Sequence, residues 1–349
     1  MKIKHDRKVM FVVPSLEGGG AERVAVNLIK EFCAMGINVT LVLFSKKISY
    51  DLPEKTVVKY LPIYDNRNIL YTVIKFFQAI FYLRRVIKEE KPFNILSFMD
   101  YTNVIAILSN LISPKKTKLT LSVHISPTLH IHKYNKNIWN KFISVFIRFL
   151  YNRADRIISV SEFIREDLIA NFNIDKSKVV TIYNPVDINR IENLSREELS
   201  HPWFNDSIPV ILSAGRLTKQ KGFDFLLRAF SILRKEINAR LVILGEGEDE
   251  LYLKNLSNRL GIDVSVDFLG FKENPYKYMK RATIYVMSSL YEGFPMVLLE
   301  AMACGVPVIS TIYNPGFSEI VENEKNGLLV PVANEKALAD AMLRLLNNP

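Results

Sequence analysis

Short aliphatic and β-branched runs, each followed by a helix-length segment, recur from one end of this 349-residue chain to the other. Parallel strands need long connections, so this alternation restricts the fold to parallel sheets with crossover helices. In the first half the strand candidates are Val9–Val13, Val39–Phe44, Ile95–Phe98, Leu119–Val123, Arg156–Val160 and Val179–Tyr183. In the second half they are Val210–Ser213, Arg240–Leu244, Val266–Leu269, Ile284–Met287, Val308–Ser310 and Leu328–Val330. The pattern restarts after about residue 205, which predicts two α/β domains, residues 1–190 and 205–349. The polar stretch from Asn184-Pro185-Val186-Asp187 to Asn205-Asp206-Ser207 reads as the linker. No low-complexity segment or obvious internal repeat interrupts the pattern.

Charge divides unevenly between the halves. Residues 1–190 hold 29 Lys and Arg against 16 Asp and Glu, while the remainder holds 17 against 20. A basic first half suits a polyanion or an anionic membrane surface, or is simply a solubilising charge. Cys33 and Cys304 are too few and too distant in sequence for a disulfide framework, so a reducing compartment is expected. Met1 to Lys8 is charged and the following apolar run stops at Pro14, which predicts no signal peptide and a cytoplasmic protein. Charges interrupt every apolar stretch before the length of about 18 residues that a spanning helix requires.

The stretch from Glu292 to Gly305 is the best delimited helix. Pro295 suits a first helical position and Gly305 a C-terminal cap, predicting a helix from about Pro295 to Cys304. It is apolar on all sides except for Glu300, a carboxylate that needs a partner if it is buried. The Glu300 side chain leans toward the helix start, where the Met296 and Val297 amides are unpaired. Such an end could take a phosphate on the amides and a sugar hydroxyl on the carboxylate. A structural Glu bonded to a neighbouring Arg or backbone N–H is the alternative. Upstream, Gly215-Arg216 and Lys221-Gly222 sit where a strand opens into a glycine-bounded loop, so Arg216 and Lys221 could clamp two phosphates. Gly245-Glu246-Gly247 and Gly270-Phe271 end the next two strands and leave room there for a flat ring.

In the first half, Gly18-Gly19-Gly20 follows the first strand and opens a helix, as a phosphate-approaching loop or a tight turn would. It lacks the dinucleotide spacing, and no acidic residue ends the next strand. His124 and Asp100 stand just past strand ends, where open α/β sheets carry ligand groups, although either could be a loop residue bonded to backbone. His130 and His132 have no third ligand at metal spacing, so no metal is assigned. Two basic amphipathic runs could lie on a membrane or be ordinary core-facing crossover helices. One joins Ile69, Leu70, Val73, Ile74, Phe77, Ile80 and Phe81 to Arg84, Arg85 and Lys88. The other mixes Trp139, Phe142, Val145, Phe146, Phe149 and Leu150 with Lys136, Lys141, Arg148 and Arg153.

In this order and spacing the motifs resemble the family 4 retaining glycosyltransferases. The residues that carry the likeness are Gly18-Gly19-Gly20-Ala21-Glu22-Arg23-Val24, Gly215-Arg216, Lys221-Gly222, Gly245-Glu246-Gly247, and Glu292 with Glu300, followed by Gly305-Val306-Pro307-Val308-Ile309. The resemblance covers nearly the whole chain and implies the GT-B fold, two doubly wound Rossmann-like domains facing a central cleft. It implies that Arg216 and Lys221 hold the donor diphosphate, Glu300 the ribose and Glu292 the sugar hydroxyls. The backbone of Phe294, Pro295, Met296 and Val297 would lie beside Glu292, and Gly245, Glu246 and Phe271 beside the nucleotide ring. Gly19 and Gly20 would approach the phosphates and His124 the donor sugar, with Glu292 and His124 as the catalytic residues. No Asp-x-Asp occurs, so fixed cations and helix amides are expected to serve in place of a metal, and no cofactor is assigned.

Two departures from the family pattern stand out. Asn314-Pro315-Gly316-Phe317-Ser318-Glu319 replaces the usual Gly-Gly before a Glu. The sequence also stops at Asn347-Asn348-Pro349, where family members usually continue into a helix that crosses back onto the first domain. The expected activity is metal-independent transfer of a hexose or N-acetylhexosamine from a nucleotide diphosphate sugar, UDP-sugar favoured, to a lipid-linked or cell-surface polysaccharide acceptor. Peripheral contact with an anionic membrane goes with that reading. A soluble enzyme making a small glycoside or glucan is the alternative, and no nucleic-acid partner is expected, because the basic residues follow no recognised binding motif. The phrases Lys47-Ile48-Ser49-Tyr50 and Asn274-Pro275-Tyr276-Lys277-Tyr278-Met279 resemble those of transferases adding N-acetylgalactosamine to polyprenyl-diphosphate-linked glycans.

Overall fold

The structure, a computed structural model, describes residues 8–61, 69–129, 138–313 and 319–348. His130, His132, Lys136 and the segment 314–318 lie outside the described residues, as do the side chains of Ile69, Leu70, Trp139, Lys141 and Phe142. The chain divides into two compact units, Met1–Pro185 and Val186–Pro349.

The first unit runs β1 (Lys8–Val13), α1 (Gly20–Ala34), β2 (Asn38–Leu43), β3 (Val57–Tyr60), α2 (Ile69–Glu90), β4 (Asn94–Phe98), α3 (Asp100–Leu111), β5 (Lys118–Val123), α4 (Ile138–Leu150), β6 (Arg156–Ser159), α5 (Glu162–Phe172) and β7 (Val179–Thr181). Its seven strands form one parallel sheet in the order β3-β2-β1-β4-β5-β6-β7. Central strands are covered on both faces, which is why β1 and β2 are near-continuous aliphatic runs. Phe11 anchors this core, stacked on Phe98 at 6.0 Å and edge-on to Phe32 at 5.6 Å. β3 was not foreseen from the sequence. It is a short edge strand with Val57 exposed, so it lacks the buried run that marks the others.

In the second unit the order is α6 (Ile188–Ser195), β8 (Val210–Ala214), α7 (Phe223–Leu233), β9 (Arg240–Leu244), α8 (Glu250–Arg259), β10 (Val266–Phe268), α9 (Tyr276–Met279), β11 (Ile284–Met287), α10 (Met296–Ala303), β12 (Val308–Ile312), β13 (Leu328–Pro331) and α11 (Glu335–Asn347). Six parallel strands run β10-β9-β8-β11-β12-β13. Alternation along each strand builds two cores. Ile211, Leu241, Ile243, Ile284 and Val286 meet Leu227, Leu253 and Met342 on one face of the sheet. Leu212, Val242, Leu244, Tyr285 and Met287 meet Ile191, Met279 and Leu298 on the other. The stretch expected as a linker is folded onto this second core: Ile191 and Leu199 are buried, and the Arg240 guanidinium lies 5.2 Å from the Trp203 ring while pairing with Asp206 at 2.9 Å.

Strand order reverses between β1 and β4 in one sheet and between β8 and β11 in the other. At such a reversal the neighbouring loops leave in opposite directions and open a crevice at the carboxyl edge, where open α/β sheets bind ligands. Leu241 is fully buried in the middle of the second sheet. Leu241→Ala is expected to lower unfolding stability by about 2–5 kcal/mol, measured as a shifted urea midpoint at unchanged slope.

Candidate functional site

β8 and β11 are hydrogen-bonded neighbours, so the loops leaving their carboxyl ends lie side by side. The first loop carries Gly215, Arg216 and, through a 3₁₀ turn over Lys219–Lys221, Gly222. The second runs from Ser288 to Pro295, into α10. They are closed onto each other by backbone and side-chain bonds. The Leu290 amide donates to the Gln220 carbonyl at 2.8 Å, the Gln220 side-chain amide to the Tyr291 carbonyl at 3.0 Å, and the Ser288 hydroxyl to the Lys221 carbonyl at 2.9 Å. Gly222 makes this closure possible: its φ is +61°, and a Cβ there would stand 2.3 Å from the Ser288 carbonyl oxygen.

The consequence is an ion pair. Lys221 Nζ lies 2.5 Å from Glu292 Oε1, and the Ser289 hydroxyl donates to the same oxygen at 2.8 Å. Both side chains are mostly withdrawn from water, at 20% and 12% exposed, so the charges interact in a medium far less polarisable than water. Arg216 is exposed at the mouth of the first loop, with no hydrogen bond or ion pair from its guanidinium among the described residues. The expected clamp of Arg216 and Lys221 is therefore one exposed cation beside one that is held by a carboxylate. Beneath them the Tyr285 hydroxyl donates to the Ala214 carbonyl at 3.2 Å. Burial and the charges of Glu300 and Glu292 raise its pKa, and burial and Glu292 do the same for Tyr313, so both phenols stay neutral.

Glycines let the strand ends pack directly on one another. Gly245 has φ +131° and its Cβ position is 2.0 Å from the Gly215 carbonyl oxygen, so no side chain fits. Its amide donates to the Gly270 carbonyl at 2.8 Å, while the Glu246 carboxylate accepts the Phe271 amide at 3.3 Å. Phe271 is 61% exposed, an aromatic face left open at the edge that Gly245 and Glu246 share. α10 begins at Met296, with Pro295 as its N-cap, one residue later than expected. Phe294 and Val297 are partly buried beside it. Glu300 is 4% exposed, and its Oε1 accepts the Tyr276 hydroxyl at 3.3 Å. Sequence reasoning missed Tyr276 as a partner, because α9 and α10 meet only through the fold. Burial, together with the charge of Glu300, pushes the nearby Cys304 thiol up to about 11, Lys280 acting in the opposite sense.

In the first unit the glycine loop, where Gly19 and Gly20 were expected to approach a phosphate, is tied to a carboxylate. The Glu22 carboxylate accepts the Gly18 amide at 2.8 Å and the Gly19 amide at 3.0 Å, and the Ser15 hydroxyl donates to it as well. A capping box thus engages the Gly18 and Gly19 amides. Tyr50 donates to the Gly19 carbonyl at 3.3 Å. His124 is buried past the end of β5, stacked on Phe98 at 5.5 Å, with Nε2 2.9 Å from the Ser122 hydroxyl oxygen. Burial lowers its pKa to about 4 against the raising influence of Asp100, so the ring is neutral near pH 7. Asp100, at the start of α3, is itself buried and accepts the Tyr151 hydroxyl at 2.7 Å. The loop after His124 is held by Asp167 of α5, which accepts the Ser126 hydroxyl at 2.5 Å, the Thr128 amide at 3.1 Å and the Asn171 side chain at 2.7 Å. Asp167 carries no motif that could have flagged it.

Two doubly wound parallel sheets, the second with a Lys–Glu pair and an apolar helix start at its reversal point, are the architecture of the GT-B glycosyltransferases. Solved structures share it: sucrose-phosphate synthase of Thermosynechococcus elongatus has a TM-score of 0.83 at 18% identity, covering 98% of this chain and 90% of that one. The Anabaena protein HepE, in complex with UDP and glucose, has a TM-score of 0.76 at 19% identity, again covering 98% and 90%. Family models described as "Glycosyltransferase Family 4" and "Glycosyl transferases group 1" match residues 18–190 and 195–349. The N-acetylgalactosamine-N,N'-diacetylbacillosaminyl-diphospho-undecaprenol 4-alpha-N-acetylgalactosaminyltransferase of Campylobacter jejuni is 32% identical over 346 residues, which are 98% of this chain and 91% of that protein. The chain belongs to glycosyltransferase family 4.

Two outcomes follow from this geometry. Gly222→Ala is expected to separate the two loops and to destabilise the fold by about 1–3 kcal/mol, read by thermal unfolding. For His124 the pKa is lower in the folded chain than the 6.5 of a free ring, so the unfolded chain binds the extra proton. Stability therefore falls as pH drops from about 6.5 toward 4, by as much as about 3 kcal/mol from this group. Urea titrations at both ends of that window should show a shallower acid loss in His124→Asn than in the unmodified chain.

Proposed function

We propose that the chain transfers a hexose or N-acetylhexosamine, with retention, from a UDP-sugar to a polyprenyl-diphosphate-linked glycan at the inner face of a membrane. The observation that carries the donor side is the Lys221–Glu292 pair, locked by Ser289 beside the start of α10 and close to exposed Arg216. Arg216 and Lys221 hold the diphosphate in this reading, and Glu300 takes the ribose. Glu292 turns its remaining oxygen to sugar hydroxyls. Gly245, Glu246 and Phe271 face the uracil ring. His124, neutral at working pH, is a hydrogen-bond partner for a sugar hydroxyl and not a cation.

The bond that breaks joins the anomeric carbon to the diphosphate oxygen, leaving its electron pair on the phosphate and an oxocarbenium-like sugar. Positive charge already fixed at the phosphate lowers that barrier without reorganisation. The acceptor hydroxyl forms the new bond from the same face, and its proton passes to the departing phosphate. No residue forms a covalent adduct in this scheme, so a trapped glycosyl-enzyme would refute it.

The acceptor reading is supported by the Campylobacter jejuni relative, whose name specifies a diphospho-undecaprenol glycan and transfer of N-acetylgalactosamine. Two local phrases strengthen it. Tyr50, in Lys47-Ile48-Ser49-Tyr50, bonds the glycine loop, and Tyr276, in the Asn274–Met279 phrase, bonds Glu300. The second phrase thus contacts the helix that the reading places in the site.

The test is a screen of UDP-N-acetylgalactosamine, UDP-N-acetylglucosamine, UDP-glucose and UDP-galactose against polyprenyl-diphosphate acceptors, with product anomers assigned by NMR. Arg216→Ala and Glu300→Ala are expected to cut transfer about 10²–10³-fold. Unchanged turnover in both would overturn the donor-site assignment.

A further inference from the structure

A helix that covers a sheet normally turns its apolar stripe inward and a polar stripe toward water. α2 does the first and not the second. Phe76, Ala79, Ile80, Leu83, Val86 and Ile87 are buried, as expected of its inner face. On the outer face stand Ile74, Phe77 and Phe81, which are 47%, 53% and 60% exposed. Arg85 and Lys88, both exposed, continue the same stripe at helical spacing. α4 repeats the arrangement, with Val145 and Phe149 at 51% and 69% exposed and exposed Arg148 between them. Phe76 stacks on Phe146 at 6.3 Å, so the two helices present these faces from adjoining positions in one unit.

Charge selects the occupant. α4 contains no acidic residue, and α2 contains none before Glu89, which pairs with Arg85 at 2.7 Å. Glu90 turns inward to Lys8 at 2.7 Å, its carboxyl held below the usual range mainly by that bond. What remains outward is phenylalanine with Lys88 and Arg148, exposed cations with no ion pair among the described residues, and with Arg85, whose charge is shared with Glu89. A second copy of this chain would bring like charges together. An anionic bilayer interface instead accepts rings at the headgroup boundary and cations on lipid phosphates. Among the described residues no helix is long and apolar enough to cross a membrane, so the contact is one of lying on the surface.

We infer that α2 and α4 form a single docking face for an anionic lipid surface, with Phe77, Phe81 and Phe149 entering the headgroup boundary and Arg85, Lys88 and Arg148 meeting lipid phosphates. The inference deepens the proposed function and rests on its membrane-held acceptor. Topology adds a consequence. α2 precedes β4 in a parallel sheet, so it starts at the carboxyl edge, where the glycine loop and His124 stand, and its aromatic half lies toward that edge. The rings would then sit in lipid on the side of the sheet edge, with the basic half farther along the bilayer surface.

The full chain would be sedimented with phosphatidylglycerol vesicles and with phosphatidylcholine vesicles, beside the variants Phe77→Ser/Phe81→Ser/Phe149→Ser and Arg85→Gln/Lys88→Gln/Arg148→Gln. The unmodified chain is expected to bind the anionic vesicles at least about tenfold more tightly, with affinity falling as salt rises, and each triple variant to lose about tenfold or more. Circular dichroism and thermal unfolding of the variants should match the parent, since these side chains are exposed. Unchanged binding by the phenylalanine variant would overturn the proposal. So would equal binding to both lipids, displacement from vesicles by an oligonucleotide, or a concentration-dependent dimer that the variant abolishes. Vesicle binding without sugar transfer would leave the docking face standing and remove the acceptor reading. Transfer to a short-chain acceptor without vesicle binding would do the reverse.

Discussion

Parallel strands have to be covered on both faces, and in this chain that requirement places everything else. Helices on both sides can be reached only by winding outward from a central strand in two directions, so each sheet contains one point where the order reverses. In the second unit that point is β8 beside β11. The loops leaving these strands must then run next to each other, and Gly222 allows them to approach within hydrogen-bonding distance. The Lys221–Glu292 pair follows from that closure, since 71 positions of chain separate the two residues.

The charged groups follow a common rule: among the described residues, carboxylates that are buried or half-buried at the loops of interest are matched to donors that the fold supplies. Glu22 gathers two amides and a hydroxyl, Asp167 gathers hydroxyls, an amide N–H and an Asn, and Glu300 takes a tyrosine. Unmatched charge in such positions would be expelled or neutralised. His124 shows that other outcome, losing its charge where burial outweighs the influence of Asp100. Arg216 is a cation left in water with no internal partner among the described residues, which suits a group whose partner arrives with a ligand.

Much of the architecture was legible because periodicity reports burial directly. Runs such as Val9–Val13 and Arg240–Leu244 match their strands to within a residue, and Glu300 was recognisable as the one charge in an apolar helix. β3 escaped because an edge strand needs no buried run. The supposed linker escaped because Ile191 and Leu199 are isolated apolar residues in a polar stretch, and only the fold brings Tyr276, Met279 and Leu298 into the same cluster with them.

By itself the sequence determined which residue types stand at the carboxyl ends of the strands: Gly215 and Arg216, Gly245 and Glu246, His124, and Glu292 ahead of the α10 helix. It also determined the family, because motif order and spacing survive without knowledge of contacts. Only the tertiary structure decided the partners. Lys221 belongs to Glu292 across 71 positions, Tyr276 to Glu300 across 24 and Ser126 to Asp167 across 41. A hydrogen bond forms over about 3 Å, and no local pattern records which distant segment the sheet order will bring that close.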